Sequence, residues 1–143
     1  MLPVSESTRQ ALRDAEDEAR TLRHSYVGTE HLLLGLLRVD DGRAAATLAS
    51  LGVTHARVRR AVVGMLGVGV EPPEGDLPLT DPAQAAVERA GREASAMGAE
   101  RVGTDHILLA LVRDPNGAAT RILWQLDVDT AAVRSAVAGQ PPS

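Results

Sequence analysis

The chain has 143 residues, 44% of them hydrophobic, and carries a net charge of −4 at pH 7. That supplies one domain with a real core, and the acidic balance leaves no electrostatic footprint for nucleic acid. There is no Cys, and all fifteen basic residues are Arg; this excludes disulfides, thiolate nucleophiles and Cys-based zinc sites, together with Walker A loops and Schiff-base centres, which need Lys.

With no Phe, one Trp and one Tyr, the core must be built of Leu, Val and Ala, which suits closely approaching helices. The first ten residues lack the apolar run of a signal peptide. No stretch reaches the ~20 apolar residues that span a bilayer. The expectation is a soluble, cytoplasmic domain that does not engage a membrane.

In chain order, a first helix is predicted from about Ser7 to Arg23, capped by Ser5 or Ser7. Its apolar stripe is Ala11, Leu12, Ala15, Ala19 and Leu22. Arg9, Arg13, Asp14, Glu16, Asp17 and Arg20 make the opposite face, read as solvated surface. After a loop through Gly28, Thr29 is placed to cap a second helix, Glu30 to about Arg38. Its nearly continuous Leu run marks burial on most sides. Gly35 inside it points to a close helix approach. A third helix follows from Arg43 to Leu51, and a fourth is capped by Thr54. Val70 to Asp76 reads as a Pro- and Gly-stopped linker. A fifth helix starts at Thr80-Asp81-Pro82, a sixth at Thr104, a seventh at Gly117 and an eighth at Asp129. Nothing reads as a strand.

The second half repeats the first. Residues 26–37 and 101–112 share seven of twelve positions, and the offset of 75 residues holds without a gap from Leu2 against Leu77 to Val62 against Val137. Two copies of so long a period are one supersecondary unit duplicated and packed on itself. The expected fold is all-α: a single domain over 1–143, with repeat one at about 2–67, a linker at about 68–76 and repeat two at about 77–138.

His31 and His106 occupy equivalent positions without the further ligands that a metal site needs, so each is read as satisfying backbone groups at its helix start. Glu30 and Asp105 serve the positive ends of their helices. A second reading stays open beside that one. A helix N-terminus attracts anions and a carboxylate attracts guanidinium. Ser5 or Thr80 lying near Glu30 or Asp105 would therefore suit a side chain carrying both groups. No nucleophile–base set is visible. Neither a catalytic residue, a metal nor a cofactor is expected, and the chain is read as a non-enzyme. Trp124 is read as a core or half-buried filler rather than a ligand platform.

The doubled Val-Gly-Thr-Glu/Asp-His-Leu/Ile-Leu-Leu-Gly/Ala-Leu unit is followed in each copy by Gly-x-Ala and a Leu-Gly-Val-like turn. It resembles the Clp repeat N-terminal domain of Hsp100/Clp AAA+ unfoldases, with the ClpC type the nearest match. The resemblance implies eight helices with pseudo-twofold symmetry. It implies docking of protein substrates and adaptor proteins for an AAA+ unfoldase and its ClpP protease in regulated proteolysis. It further implies recognition of phosphoarginine, with Glu30 and Ser5 forming one site and Asp105 and Thr80 the other.

Asp105 is one methylene shorter than the glutamate of the pattern; if reach is its only defect, Asp105→Glu restores that site. The family's surface for peptides and cyclic-peptide antibiotics would fall on Met1, Val4 and Leu79, where ClpC-type members carry Phe, so antibiotics are expected to bind weakly. No ATPase module lies within these residues. A domain of a longer unfoldase and a free-standing decoy, sequestering adaptors, marked substrates or antibiotics, are both compatible with that.

Overall fold

The Ser5 hydroxyl accepts the Thr8 N–H at 3.1 Å and starts α1 (Glu6–Thr21), the first of eight helices in a computed structural model that describes residues 2–139. The others are α2 (Thr29–Arg38), α3 (Arg43–Ser50), α4 (His55–Leu66), α5 (Asp81–Ala96), α6 (Thr104–Val112), α7 (Ala118–Gln125) and α8 (Thr130–Ala138). Thr54, Thr80 and Asp129 cap α4, α5 and α8 through their side chains, as their residue types predict. Among the described residues there is no strand, only two isolated parallel bridges. No helix there is long and apolar enough to cross a membrane.

The fold is a four-helix unit used twice. α2 and α6 are its two centres, with Leu32, Leu33, Leu34 and Leu36 in one and Ile107, Leu108, Leu109 and Leu111 in the other all buried. The outer helices lay Ala faces on them: Ala11, Ala15 and Ala19 on α1, and Ala86, Ala90 and Ala94 at the same register on α5. Small side chains let the axes approach, and in repeat one the approach goes to backbone contact. A Cβ on Gly35 would run into the Ala11 carbonyl oxygen and stand 2.8 Å from the Ala15 nitrogen.

The charged face of α1 is solvated as expected at Arg9, Arg13 and Asp17, but not throughout. Asp14 and Glu18 are buried. Glu18 receives both its oxygens' bonds from Arg59 at 2.9 and 2.8 Å, one from His55 at 2.7 Å and one from Arg38 at 3.3 Å. That single carboxylate ties α1 to α2 and α4. Burial alone would raise its pKa, but the Arg59 and His55 bonds outweigh it and hold the group below the usual carboxylate range. The stability it contributes is present above the unfolded-state value of 4.5 and drains away as pH falls through the lower folded value.

Gly35→Ala is expected to destabilise the protein by about 2–3 kcal/mol, because the new methyl meets main chain that cannot rotate away. Helix propensity alone predicts the opposite sign. Denaturant unfolding decides, with Ala110→Gly in repeat two as the propensity control; a Gly35→Ala variant as stable as wild type contradicts the close approach.

Candidate functional site

α1 runs for 16 residues, about 24 Å at 1.5 Å per residue. A short loop then turns the chain into α2, so the start of α2 lies beside the end of α1 and a helix length from Ser5. Ser5 and Glu30 therefore do not form one site, nor do Thr80 and Asp105; the expected pairing within each repeat is corrected. The structure pairs them crosswise. The Ser5 N–H donates to the Val102 carbonyl at 3.0 Å, and the Val102 N–H donates to Pro3 at 2.8 Å. The Thr8 hydroxyl adds a bond to the Val102 carbonyl at 2.8 Å. In the other copy, Val27 donates to Pro78 at 2.8 Å and Thr80 donates to Val27 at 3.0 Å. The capped start of α1 thus borders the Asp105 turn, and the capped start of α5 borders the Glu30 turn.

The Gly-Thr-Glu/Asp-His turn is assembled in the same way in both copies. Gly28 and Gly103 are the N-caps, and His31 and His106 turn back to accept the N–H of those glycines on Nδ1 at 2.9 and 2.8 Å. The histidines hold backbone, as read from the sequence. The threonines do something else. Thr29 does not cap its own helix; its buried hydroxyl accepts the Ala119 N–H at the start of α7 at 3.2 Å. Thr104 accepts the Ala44 N–H at the start of α3 at 3.1 Å. Each threonine caps a helix of the opposite repeat, a role that local sequence offers no means of seeing.

Glu30 is 4% exposed, and its carboxylate occupies the space a Cβ on Gly28 would need. Burial raises its pKa above 4.5, against a backbone hydrogen bond and the nearby His24 imidazole, which lower it. Tyr26 stands beside it, the phenol pushed up first by burial and then by the Glu30 charge. The Tyr26 ring stacks on His24 at 5.7 Å and meets His31 edge-on at 5.5 Å. Burial pushes His31 down to about 4, so it is neutral at pH 7 with its proton on Nε2. That proton faces His24 Nδ1 at 2.9 Å, and His24 Nε2 donates in turn to the Gly67 carbonyl at 2.9 Å. A relay of fixed tautomers thus braces the Glu30 turn against the end of α4.

The second site differs at each variable position. Arg101 replaces Tyr26, Ala99 replaces His24 and Asp105 replaces Glu30. Asp105 is 6% exposed and lines a cleft of about 800 Å³ with Ser5, Ser7, Arg43, Arg101 and Thr104. In the proposed peptide surface, Leu79 is about one-third exposed and Val4 is half-buried against the core; each lies in one of the crossed bridges. Met1 lies outside the described residues. Trp124, expected as a core or half-buried filler, is 53% exposed, because α7 turns its Ile122 and Leu123 inward instead. Among the described residues, no group of three or more His, Asp or Glu is placed to hold a metal ion.

The family model of the Clp repeat (R) N-terminal domain matches residues 3–126 and again 79–140. The chaperone protein ClpB of Oceanobacillus iheyensis is 38% identical over 133 residues, 93% of this chain. The ATP-dependent Clp protease ATP-binding subunit ClpC of Staphylococcus epidermidis is 38% identical over 134 residues, 94% of this chain. The chain spans 16% of the length of either relative. Among solved structures, the N-terminal domain of ClpD from Arabidopsis thaliana superposes with a TM-score of 0.81 at 23% identity, covering 94% of this chain and 92% of that one. The Hsp104 N-terminal domain from Candida albicans superposes at 0.79 and 16% identity, covering 96% and 90%. A ClpV N-domain in complex with a VipB peptide superposes at 0.74 and 15% identity, covering 95% and 85%.

Thr29→Val keeps the shape of the side chain and leaves the Ala119 N–H buried without an acceptor. Stability should fall by roughly 1–3 kcal/mol, the cost of such a group. Hydrogen exchange at the Ala119 amide, 90 residues away in sequence, should accelerate with it. Protection at Ala119 equal to wild type contradicts the crossed cap.

Proposed function

The chain belongs to the Clp repeat N-terminal domain family, and from that membership we propose that it is a recognition module rather than an enzyme. It docks protein substrates and adaptor proteins for an AAA+ unfoldase of the ClpC kind that works with ClpP in regulated proteolysis, and its Glu30 site reads phosphorylated arginine. The ClpV N-domain that carries a VipB peptide supports peptide docking on this fold.

The observation that carries the phosphoarginine reading is the crossed juxtaposition at Glu30. A buried carboxylate, whose ionisation is held back by burial, lies at a turn hydrogen-bonded to the segment that starts α5. The carboxylate is short of a cation, and a guanidinium matches it with a forked pair. The α5 start offers the positive end of a helix dipole and the hydroxyl proton of its cap Thr80, whose oxygen accepts the Ala83 N–H, and both suit the phosphoryl group. Both recognition elements come from the fold before any ligand arrives. The Leu79 and Val4 side chains, beside the two turns, offer the aliphatic surface that a peptide or a cyclic-peptide antibiotic would cover. They offer less than aromatic anchors do.

The proton balance gives the reading a signature. Glu30 must be ionised to grip a guanidinium, and its folded pKa lies above 4.5. Binding is therefore weak at pH 4.5, strengthens as pH rises through the folded value and levels off above it. Titration calorimetry with phosphoarginine at pH 7 should show Glu30→Ala weakened tenfold or more, since a hydrogen bond to a charged group contributes about 1.5–3 kcal/mol. Circular dichroism confirms that the helices survive. Equal binding by Glu30→Ala and wild type leaves the carboxylate as a helix-end residue and overturns the reading.

A further inference from the structure

The two Thr-capped helix starts allow a comparison within one molecule. Thr104 holds the Ala44 N–H and so fixes the start of α3 against the Asp105 turn, with Arg43 as the first residue of that helix. Thr29 holds the Ala119 N–H and fixes the start of α7 against the Glu30 turn, with Ala118 in the corresponding place. The same backbone geometry presents a methyl group to one site and a guanidinium to the other. Arg43 uses that position: its Nη1 lies 4.0 Å from Asp105 Oδ2, with the Arg43 side chain 31% exposed and the Asp105 side chain 8% exposed. Both line the same cleft.

We propose that Arg43 is a resident guanidinium in the Asp105 cleft, standing where a guest arginine side chain would stand and excluding it. The inference rests on the guanidinium-recognition reading above, and it makes the protein functionally one-sited although it keeps two copies of the turn. It also accounts for the shorter carboxylate. A guanidinium delivered by the protein itself from a fixed helix start does not need the reach of a glutamate, so the substitutions at Glu30/Asp105 and Ala118/Arg43 belong together. Shortening is then not the only defect of the second site, and Asp105→Glu alone leaves Arg43 in place and the cleft closed to a guest. The separation of 4.0 Å is that of an ion pair without a forked hydrogen bond. Arg43 thus competes with a guest guanidinium for Asp105.

The test is made in the full chain with Glu30→Ala in every variant, so that only the Asp105 cleft reports. The probes are phosphoarginine and arginine amide, the second carrying a guanidinium without the phosphoryl group, and the readouts are calorimetry and amide shifts at Gly103 and Asp105. The double variant Glu30→Ala/Arg43→Ala should bind at least tenfold more tightly than Glu30→Ala, with a stoichiometry of one. Adding Asp105→Asn should abolish the gain, which a merely structural effect of Arg43 would not do. Arg43→Met, which keeps the aliphatic stem, serves as the second variant should the alanine form fold poorly. Equal affinity with and without Arg43, including no binding by either, overturns the proposal. Failure of the Glu30 reading shows separately, as equal binding by wild type and Glu30→Ala.

Discussion

Four backbone hydrogen bonds set the geometry of this molecule. Ser5 to Val102, Val102 to Pro3, Val27 to Pro78 and Thr80 to Val27 stitch the entry of each outer helix to the turn that opens the buried helix of the other repeat. Two threonine hydroxyls reinforce the exchange by capping α7 and α3 across the same boundary. A buried N–H without an acceptor costs more than a made hydrogen bond returns, so these partners must be present together. Each half caps one helix start of the other, α7 through Thr29 and α3 through Thr104. The duplicated unit is an interlocked pair, and both candidate sites exist only at the seams.

From that constraint the asymmetry between the sites follows as a matter of side chains on a common frame. The turn residues that hold backbone are the same in both copies: Gly28 and Gly103, Thr29 and Thr104, His31 and His106. The residues beside the two carboxylates differ. Glu30 has Tyr26 and a histidine relay for neighbours, whereas Asp105 has Arg43 and a cleft that also takes in Arg101. A desolvated carboxylate without a guanidinium of its own attracts one. On the proposed reading, a carboxylate already facing a guanidinium does not, and Asp105 keeps the frame without the specificity.

Much of this was legible in the residues. The Leu runs, the Ala stripes and the caps at Thr54, Thr80 and Asp129 fixed the elements to within a residue or two, since each is a local signal. Gly35 was legible as a close approach because Ala110 stands in its place in the repeat. Glu18 was not, for its partners His55 and Arg59 lie 37 and 41 residues further on, and a charge at helical spacing reads as surface. The crossed capping by Thr29 and Thr104 was equally hidden, because a threonine before a helix is most simply its own cap. The site pairing was a different matter. The length of α1 already separates Ser5 from Glu30, so helix geometry available from the residues argues against pairing them within one repeat.

The central claim is that each repeat depends on the other for a helix cap and for the bonds at its helix entry. The most direct measurement is thermal melting, followed by circular dichroism, of residues 1–69 and residues 70–143 as separate chains. Interlocking predicts low helix content and no cooperative transition for either half alone, since a single unit of such a repeat cannot bury its apolar face. Native helicity and a sigmoidal melt should return when the two are mixed. A half that melts cooperatively by itself, with the helix content it has in the whole protein, contradicts the account.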